Sequence, residues 1–434
     1  KKHTKILLDD FFNKGRKNKE PFNKLYHELR KLRGDRGLSN SEASLCYALW
    51  SIFKKKIDID YISLSNVFKP DGSIINIDRL KSLILKSDGI ILSGPVYFGD
   101  RSSLSQCFFE FLKNDKNCLK HVKKLPFAGI AVGAKRNGGQ ETTLIYQMID
   151  ALNLGMSVVG NGHETTAQYG GTAVAGDIGT FSDDKYGIET SMSTGNRIAD
   201  VVNMIKESKK PKYHSAKTSK FKIGIWLLQD SNKRDGENYL KKILKKISIK
   251  NYEFKILNVI DEKIRPCIAC DICPTHIGPS NEYRCIIKQN DDFFKKYHQE
   301  IVDVDSYILA AYSPNNTKNL ISYYQQFIER TRYLRRDDYL MGNKLVTPLV
   351  LSEIGTNQNL HIRMITSLIR HQTILHKPLI GYLHKSVLLN SSSLISDLED
   401  YIKLAKQISL GKLNMTFEAN RYQHLGYKVS KEKY

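Results

Sequence analysis

The chain has 434 residues, 41% of them hydrophobic and 26% charged, which suits two domains with ordinary cores and excludes a disordered protein. Its longest apolar runs, such as Gly89–Ser93 and Leu349–Leu351, are strand-length, so no membrane helix is expected. The net charge of +22 comes from scattered lysines with no zinc-finger, RNA-recognition or basic-zipper signature; it points away from nucleic acid and leaves room for an acidic partner.

In chain order, Asp58–Leu64 alternates like a strand. A continuous apolar strand follows in GIILSGPVYFG after Asp88, then a helix from about Ser102 to Leu112. Phe127–Gly133 reads as a buried strand, Glu141–Leu152 as a helix and Ser157–Gly160 as a short strand. The polar, basic stretch Lys206–Lys220, with Pro211, reads as a linker. Beyond it come strands at Phe221–Leu228, Tyr252–Val259, Asp305–Ala311, Thr347–Glu353 and Leu379–Leu383. Helices alternate with them at Glu237–Lys246, Asp291–Glu300, Asn319–Arg330 and Leu360–His371. Strands that are apolar throughout and alternate with helices predict parallel sheets covered on both faces.

The stretches SDGIILSGPVYFGDRSSLSQCFFEFL and VDSYILAAYSPNNTKNLISYYQQFIE share one plan: an acidic residue, a strand, a Pro-containing loop and an amphipathic helix. The expected architecture is therefore α/β, with two doubly wound parallel-sheet domains in tandem. The first spans residues 1–205, the basic linker 206–220 and the second domain 221–434.

Ligands of such sheets sit beyond the carboxyl ends of the strands. Three loops of the first half would meet there. In GLSNSEAS, the residues Ser39, Asn40 and Ser41 lead into a helix and can cradle a phosphate, although a plain N-cap uses the same residue types. In SGPVYFGD, Pro95 and Gly99 bracket Val96, Tyr97 and Phe98, which offer an apolar wall to a flat ring system or bury themselves in the core. In GAKRNGGQETT, Gly138 and Gly139 permit close backbone approach. Lys135 and Arg136 offset negative charge, and Asn137, Gln140 and Thr142 offer hydrogen bonds; a Gly-rich turn opening a helix is the plainer alternative. His163 and Glu164 in GNGHETTAQYGG are titratable but read more readily as structural, and no catalytic acid or base stands out.

Seven cysteines, an odd number, argue against a disulfide framework. The basic start runs into Asp9 and Asp10 rather than a long apolar stretch, so a cytoplasmic home is expected. Cys46, Cys107 and Cys118 are isolated. Cys267, Cys270 and Cys273 follow one another as C-x₂-C-x₂-C in PCIACDICP, and Cys285 follows Cys273 with eleven residues between them. A compact triple with a fourth thiolate suits a [4Fe–4S] cluster; zinc, which more often takes two separated C-x₂-C pairs, is the alternative.

The run SGPVYFG, followed by a helix, a strand and G-x-x-x-N-G-G-Q-E-T-T, resembles the iron–sulfur flavoproteins and the related NAD(P)H-dependent FMN reductases over most of Ser39–Asp200. The resemblance implies a flavodoxin-like fold and non-covalent FMN. Ser39, Asn40 and Ser41 would hold its phosphate, residues Pro95 to Gly99 would line one side of the ring and Asn137 to Gln140 the other. About thirty residues separate the phosphate loop from Lys5–Leu8, the expected first strand, where the family has the two adjacent. The family also carries a compact cysteine motif where CIACDIC lies, which favours the cluster. In the second half AAYSPNN and EIGTNQNLH replace the flavin loops, while QDSNKRDGE still resembles a phosphate loop.

The expected function is electron transfer, with FMN in the first domain exchanging electrons with a [4Fe–4S] cluster in the second. NAD(P)H or a donor or acceptor protein would serve it. A homodimer fits the resemblance, since flavodoxin-like reductases commonly pair. The alternatives are an NAD(P)H-dependent FMN reductase with a structural zinc and a redox-sensing nucleic-acid-binding protein, the latter marked by salt-dependent binding.

Overall fold

The computed structural model describes residues 38–69, 73–123, 125–176, 180–210, 220–230, 233–260, 262–270, 273, 282–336, 339–356 and 358–415. The expected strand at 5–8 and most of the expected linker, 211–219, lie outside them. No helix among the described residues is long and apolar enough to cross a membrane. The chain separates into two compact units, parted between Val202 and Asn203.

The first unit runs α1 (Asn40–Lys54), α2 (Ile77–Lys86), β1 (Ile90–Tyr97), β2 (Asp100–Arg101), α3 (Ser103–Asn114), α4 (Lys116–Val122), β3 (Pro126–Gly133), α5 (Gln140–Asn153), β4 (Ser157–Val158), β5 (Gly171–Val174) and α6 (Lys185–Glu207), which carries the chain across the boundary. Strand β3 is buried at every residue because it is paired on both edges. It runs parallel to β1 on one side, and to β4 and then β5 on the other. Helix α3 buries Phe108, Phe109 and Leu112, and Phe109 meets Phe127 of β3 at 5.8 Å between ring centroids. Such aromatic pairs contribute roughly 0.5–1.5 kcal/mol beyond the area they bury.

The second unit runs β6 (Phe221–Gln229), α7 (Asp235–Leu244), β7 (Tyr252–Asn258), α8 (Phe293–Lys296), α9 (His298–Val302), β8 (Ser306–Ser313), α10 (Leu320–Arg330), α11 (Arg332–Arg335), β9 (Leu345–Glu353), α12 (Leu360–Leu368), β10 (Ile374–Leu375), β11 (Leu379–His384), β12 (Val387–Leu388) and α13 (Ser391–Leu413). Its parallel sheet has the order β7–β6–β8–β9, with β10 and β11 sharing the far edge of β9. Counted along the chain this is the 2-1-3-4-5 order of flavodoxin-like folds. Pro348 lies inside β9, where a missing N–H would ordinarily cost a ladder bond. It falls between the residues paired to β10 and those paired to β11, the one break in that edge. Trp226 stacks on Tyr307 at 4.7 Å, and the buried Tyr401 of α13 donates to the Tyr307 carbonyl at 2.9 Å.

Three local expectations change. Residues 58–63 form no strand and pair with no described strand, and residues Leu64–Asn66 wind into a 3₁₀ turn. The helix expected at 291–300 is broken at Tyr297 into α8 and α9. Helix α6 extends through Glu207, past the expected start of the linker at Lys206, because Met204 is still fully buried.

Candidate functional site

In the first unit, Ser39 caps α1 in a capping box. Its hydroxyl accepts from the Glu42 amide at 3.2 Å, and Glu42 accepts from the Ser39 amide at 2.8 Å. The carbonyl of Ser41 accepts from Ser44 and from Ser93 of β1, each at 2.8 Å. These bonds fix the α1 N-terminus, with Asn40 in its first turn, to the middle of β1. Ala43 packs in one cluster with Val132 of β3 and Ala173 of β5, so the helix start sits over the same end of the sheet.

Beyond β1 the chain reverses sharply. Phe98 and Gly99 have φ of 52° and 77°, and Val96 and Tyr97 pair antiparallel with Arg101 and Asp100. Both central residues are left-handed, as a two-residue hairpin turn requires. The turn throws the aromatics outward: Tyr97 is 58% exposed and Phe98 fully exposed. Burial in the core, the plainer expectation for this pair, is therefore excluded. Arg101 ties the hairpin down, bonding Gln106 at 2.6 Å and pairing with Asp150 of α5. Burial raises the Asp150 carboxyl while the Arg101 charge opposes the shift.

The loop after β3 comes up against this hairpin. Gly139 has φ of 103°, and a Cβ there would lie 2.8 Å from the Gly99 Cα and 3.2 Å from Val96. Only glycine allows so close an approach of two backbones. Asn137, also left-handed, and Gly138 turn the chain, with the Gly138 amide donating to the Lys135 carbonyl at 3.1 Å. Gln140 is buried. Its amide donates to the Lys135 and Ala173 carbonyls at 2.8 and 3.2 Å and accepts from Gly138 at 2.8 Å, so it shapes the loop from beneath. Arg136 pairs with Asp184 and lies 5.0 Å from the Tyr186 ring centroid, while Lys135 and Thr142 are exposed. The structure thus brings all three predicted loops to one end of the sheet and divides their residues. Ser39, Gln140 and Arg136 brace the loops. Pro95, Val96, Tyr97, Phe98, Gly99 and Gly139 form the rim itself.

The loop of residues 159–170 is held by internal hydrogen bonds. Asn161 is buried and donates to the Gly170 and Thr190 carbonyls at 3.2 and 2.6 Å, and Glu164 accepts from Ser193 at 2.5 Å. His163 is half-buried beside them.

In the second unit the equivalent loops are filled from within. The Asp230 carboxylate accepts from the amides of Lys318 and Asn319 at the start of α10, and Glu353 accepts from the Asn315 amide at 2.9 Å. Glu237 accepts from Arg234 and Asn258 at 2.8 Å. Its bonds to Lys241 and Asn258 hold its carboxyl down at about 2.

The four clustered cysteines line one pocket, about 270 Å³ including its solvent mouth, together with Ile268, Ile286, Arg332 and Arg336. Ala269, left-handed at φ 50°, turns Ile268 outward to 63% exposure between Cys267 and Cys270. Burial and then the neighbouring Cys285 push the Cys273 thiol up to about 11, against the opposing charge of Arg336. Among the described residues no group of three or more His, Cys, Asp or Glu side chains is arranged to hold a metal ion. The thiols surround a space rather than closing on a point.

A buried ion pair holds both flanks of this cysteine loop, and nothing local in the sequence marks it. Arg330 and Asp292 are 1% and 0% exposed at their side chains and meet at 2.9 Å. Asp292 also accepts from the Arg265 amide at 3.2 Å. Arg330 donates to the Arg265 carbonyl at 3.1 Å and to Tyr283 at 2.8 Å, residues that stand two positions before Cys267 and two before Cys285.

The NADPH-dependent FMN reductase family matches residues 36–169, a span that contains all three loops of the first unit. An iron–sulfur flavoprotein of Methanocaldococcus jannaschii is 34% identical over 173 residues, which are 37% of this chain and 89% of that protein. An iron–sulfur flavoprotein of Methanosarcina thermophila is 29% identical over 137 residues, 31% of this chain and 66% of that protein. With one relative spanned almost completely and a reductase match laid over the three convergent loops, the chain belongs to the iron–sulfur flavoprotein family and is a flavin-dependent oxidoreductase of the flavodoxin-like α/β class.

Proposed function

We propose that the first unit holds FMN, that the second holds a [4Fe–4S] cluster, and that the two exchange electrons. The observation that carries the proposal is the convergence of Cys267, Cys270, Cys273 and Cys285 on one pocket. The donor set fits the group: four thiols, apolar neighbours and cationic side chains suit a cluster that requires four thiolates. The iron–sulfur names of both relatives support the same reading.

When bound, FMN supplies two-electron chemistry and the cluster single-electron steps. The residues of this chain do the rest. Ser39, Asn40 and Ser41 open α1, whose N-terminus favours a phosphate. Pro95, Val96, Tyr97, Phe98 and Gly99 would offer the ring an apolar wall. Asn137, Gly138 and Gly139 of the Lys135–Thr142 loop would meet it from the other side, and Arg136 and Gln140 keep that loop in place. NAD(P)H or a donor or acceptor protein would supply or take the electrons, and a second copy of the chain is the simplest oligomeric partner.

Absorption spectra with iron, zinc and flavin analysis, on protein purified without oxygen, test the proposal. Flavin bands over a broad iron–sulfur shoulder, with about four irons per chain, are expected. Flavin with zinc and no iron would leave a reductase with a structural metal and overturn the two-centre reading.

A further inference from the structure

Arg332 and Arg336 are among the residues that line the pocket of the four cysteines, and no Asp or Glu is. The two differ in their surroundings. Arg332 is half-buried, whereas Arg336 is fully buried. The remaining lining residues, Ile268, Ala269, Ile286 and Ile287, are apolar. In such a setting a fixed charge is weakly screened and acts on its neighbours far more strongly than one in water.

A cluster held by four thiolates is an anion, and reduction adds one more negative charge. Net charge and solvent exposure are among the factors that set cluster potentials. A buried cation therefore stabilises the reduced cluster more than the oxidised one. We propose that Arg336 is a charge-compensating residue that raises the reduction potential of the cluster site, with Arg332 contributing less because water screens it. The inference rests on the reading that Cys267, Cys270, Cys273 and Cys285 hold a [4Fe–4S] cluster.

The test is a redox titration of the full chain, loaded without oxygen and followed by the paramagnetic signal of the reduced cluster, with iron analysis on each sample. Arg336→Met keeps the length and removes the charge; Arg336→Lys keeps the charge. With iron retained, Arg336→Met is expected to lower the reduced-to-oxidised ratio at fixed potential at least tenfold, about 59 mV for one electron. Arg336→Lys is expected to recover most of that shift, and Arg332→Met to shift it less than threefold. A fully loaded Arg336→Met protein with the wild-type midpoint overturns the role. If Arg336→Met does not fold, Arg336→Gln, neutral yet still able to donate hydrogen bonds, carries the test with the same expected shift. Wild-type protein that takes up no iron under these conditions overturns the cluster reading itself, an outcome distinct from a loaded protein whose potential does not move.

Discussion

Two glycines of the flavin-side rim have different jobs. At Gly99 a Cβ would meet nothing within 4 Å, so Gly99→Ala pays only for a left-handed backbone, roughly 1–2 kcal/mol. At Gly139 the same change adds a collision with the backbone of the hairpin. Gly139→Ala is therefore expected to part the two loops and weaken FMN binding at least tenfold with the fold intact, and Gly99→Ala to weaken it less. Fluorescence titration of flavin-free protein measures both, and equal affinities for the two variants would contradict the role given to Gly139. In the second unit, Cys270→Ala should remove most of the iron and leave the flavin. Iron analysis beside flavin absorbance checks this; joint loss of flavin and iron from a folded variant would show that the two sites are not separate.

At the scale of elements, the cysteine loop is held by charge rather than by regular structure. Between β7 and α8 no described helix or strand carries the cysteines, and the Asp292–Arg330 pair anchors Arg265 before them and Tyr283 just ahead of Cys285. Removing one partner of a buried pair leaves the other uncompensated, at a cost of about 3–5 kcal/mol. Asp292→Ala should thus lower the denaturant midpoint of unfolding and reduce iron uptake. Asp292→Leu with Arg330→Met, which buries no orphan charge, should lose less stability than the single change. A single variant as stable as wild type would show that the clamp does not hold the loop. This element also shows what the sequence conceals. Cys267 and its neighbours announce themselves by spacing, and PFAGIAVG by unbroken apolarity. Asp292 and Arg330 stand 38 positions apart, and each alone resembles any surface charge. Helix α13 was readable in principle: Leu394, Leu398, Tyr401, Ile402, Ala405 and Ile408 recur at helical spacing and are buried. The lysines between them mask that stripe in a chain rich in lysine.

Across the two units one edge pattern recurs, in keeping with the tandem plan expected from the sequence. In the first unit β3 is flanked by β4 and then β5; in the second, β9 is flanked by β10 and then β11. Backbone bonds repeat in step. The amides of Ser157 and Val159 reach the carbonyls of Leu125 and Phe127, and those of Ile374 and His376 reach the carbonyls of Lys344 and Val346. Alternating apolar strands and helices made this plan legible, whereas the fate of each cofactor loop depends on side chains that meet only in three dimensions. Asp230 and Glu353 accept from backbone amides in the second unit's loops, which disfavours an anion at those amides, and no double glycine opens its rim. One flavin per chain is the expected stoichiometry, located in the first unit. Gly139→Val, which adds bulk at the crossing of the two loops, separates the possibilities: flavin released on denaturation should fall from one per chain to near zero. A residue of one flavin per chain in that variant, or two per chain in the wild type, would mean that the second unit binds flavin despite its carboxylates. A drop to near zero would place the chain's flavin in the first unit.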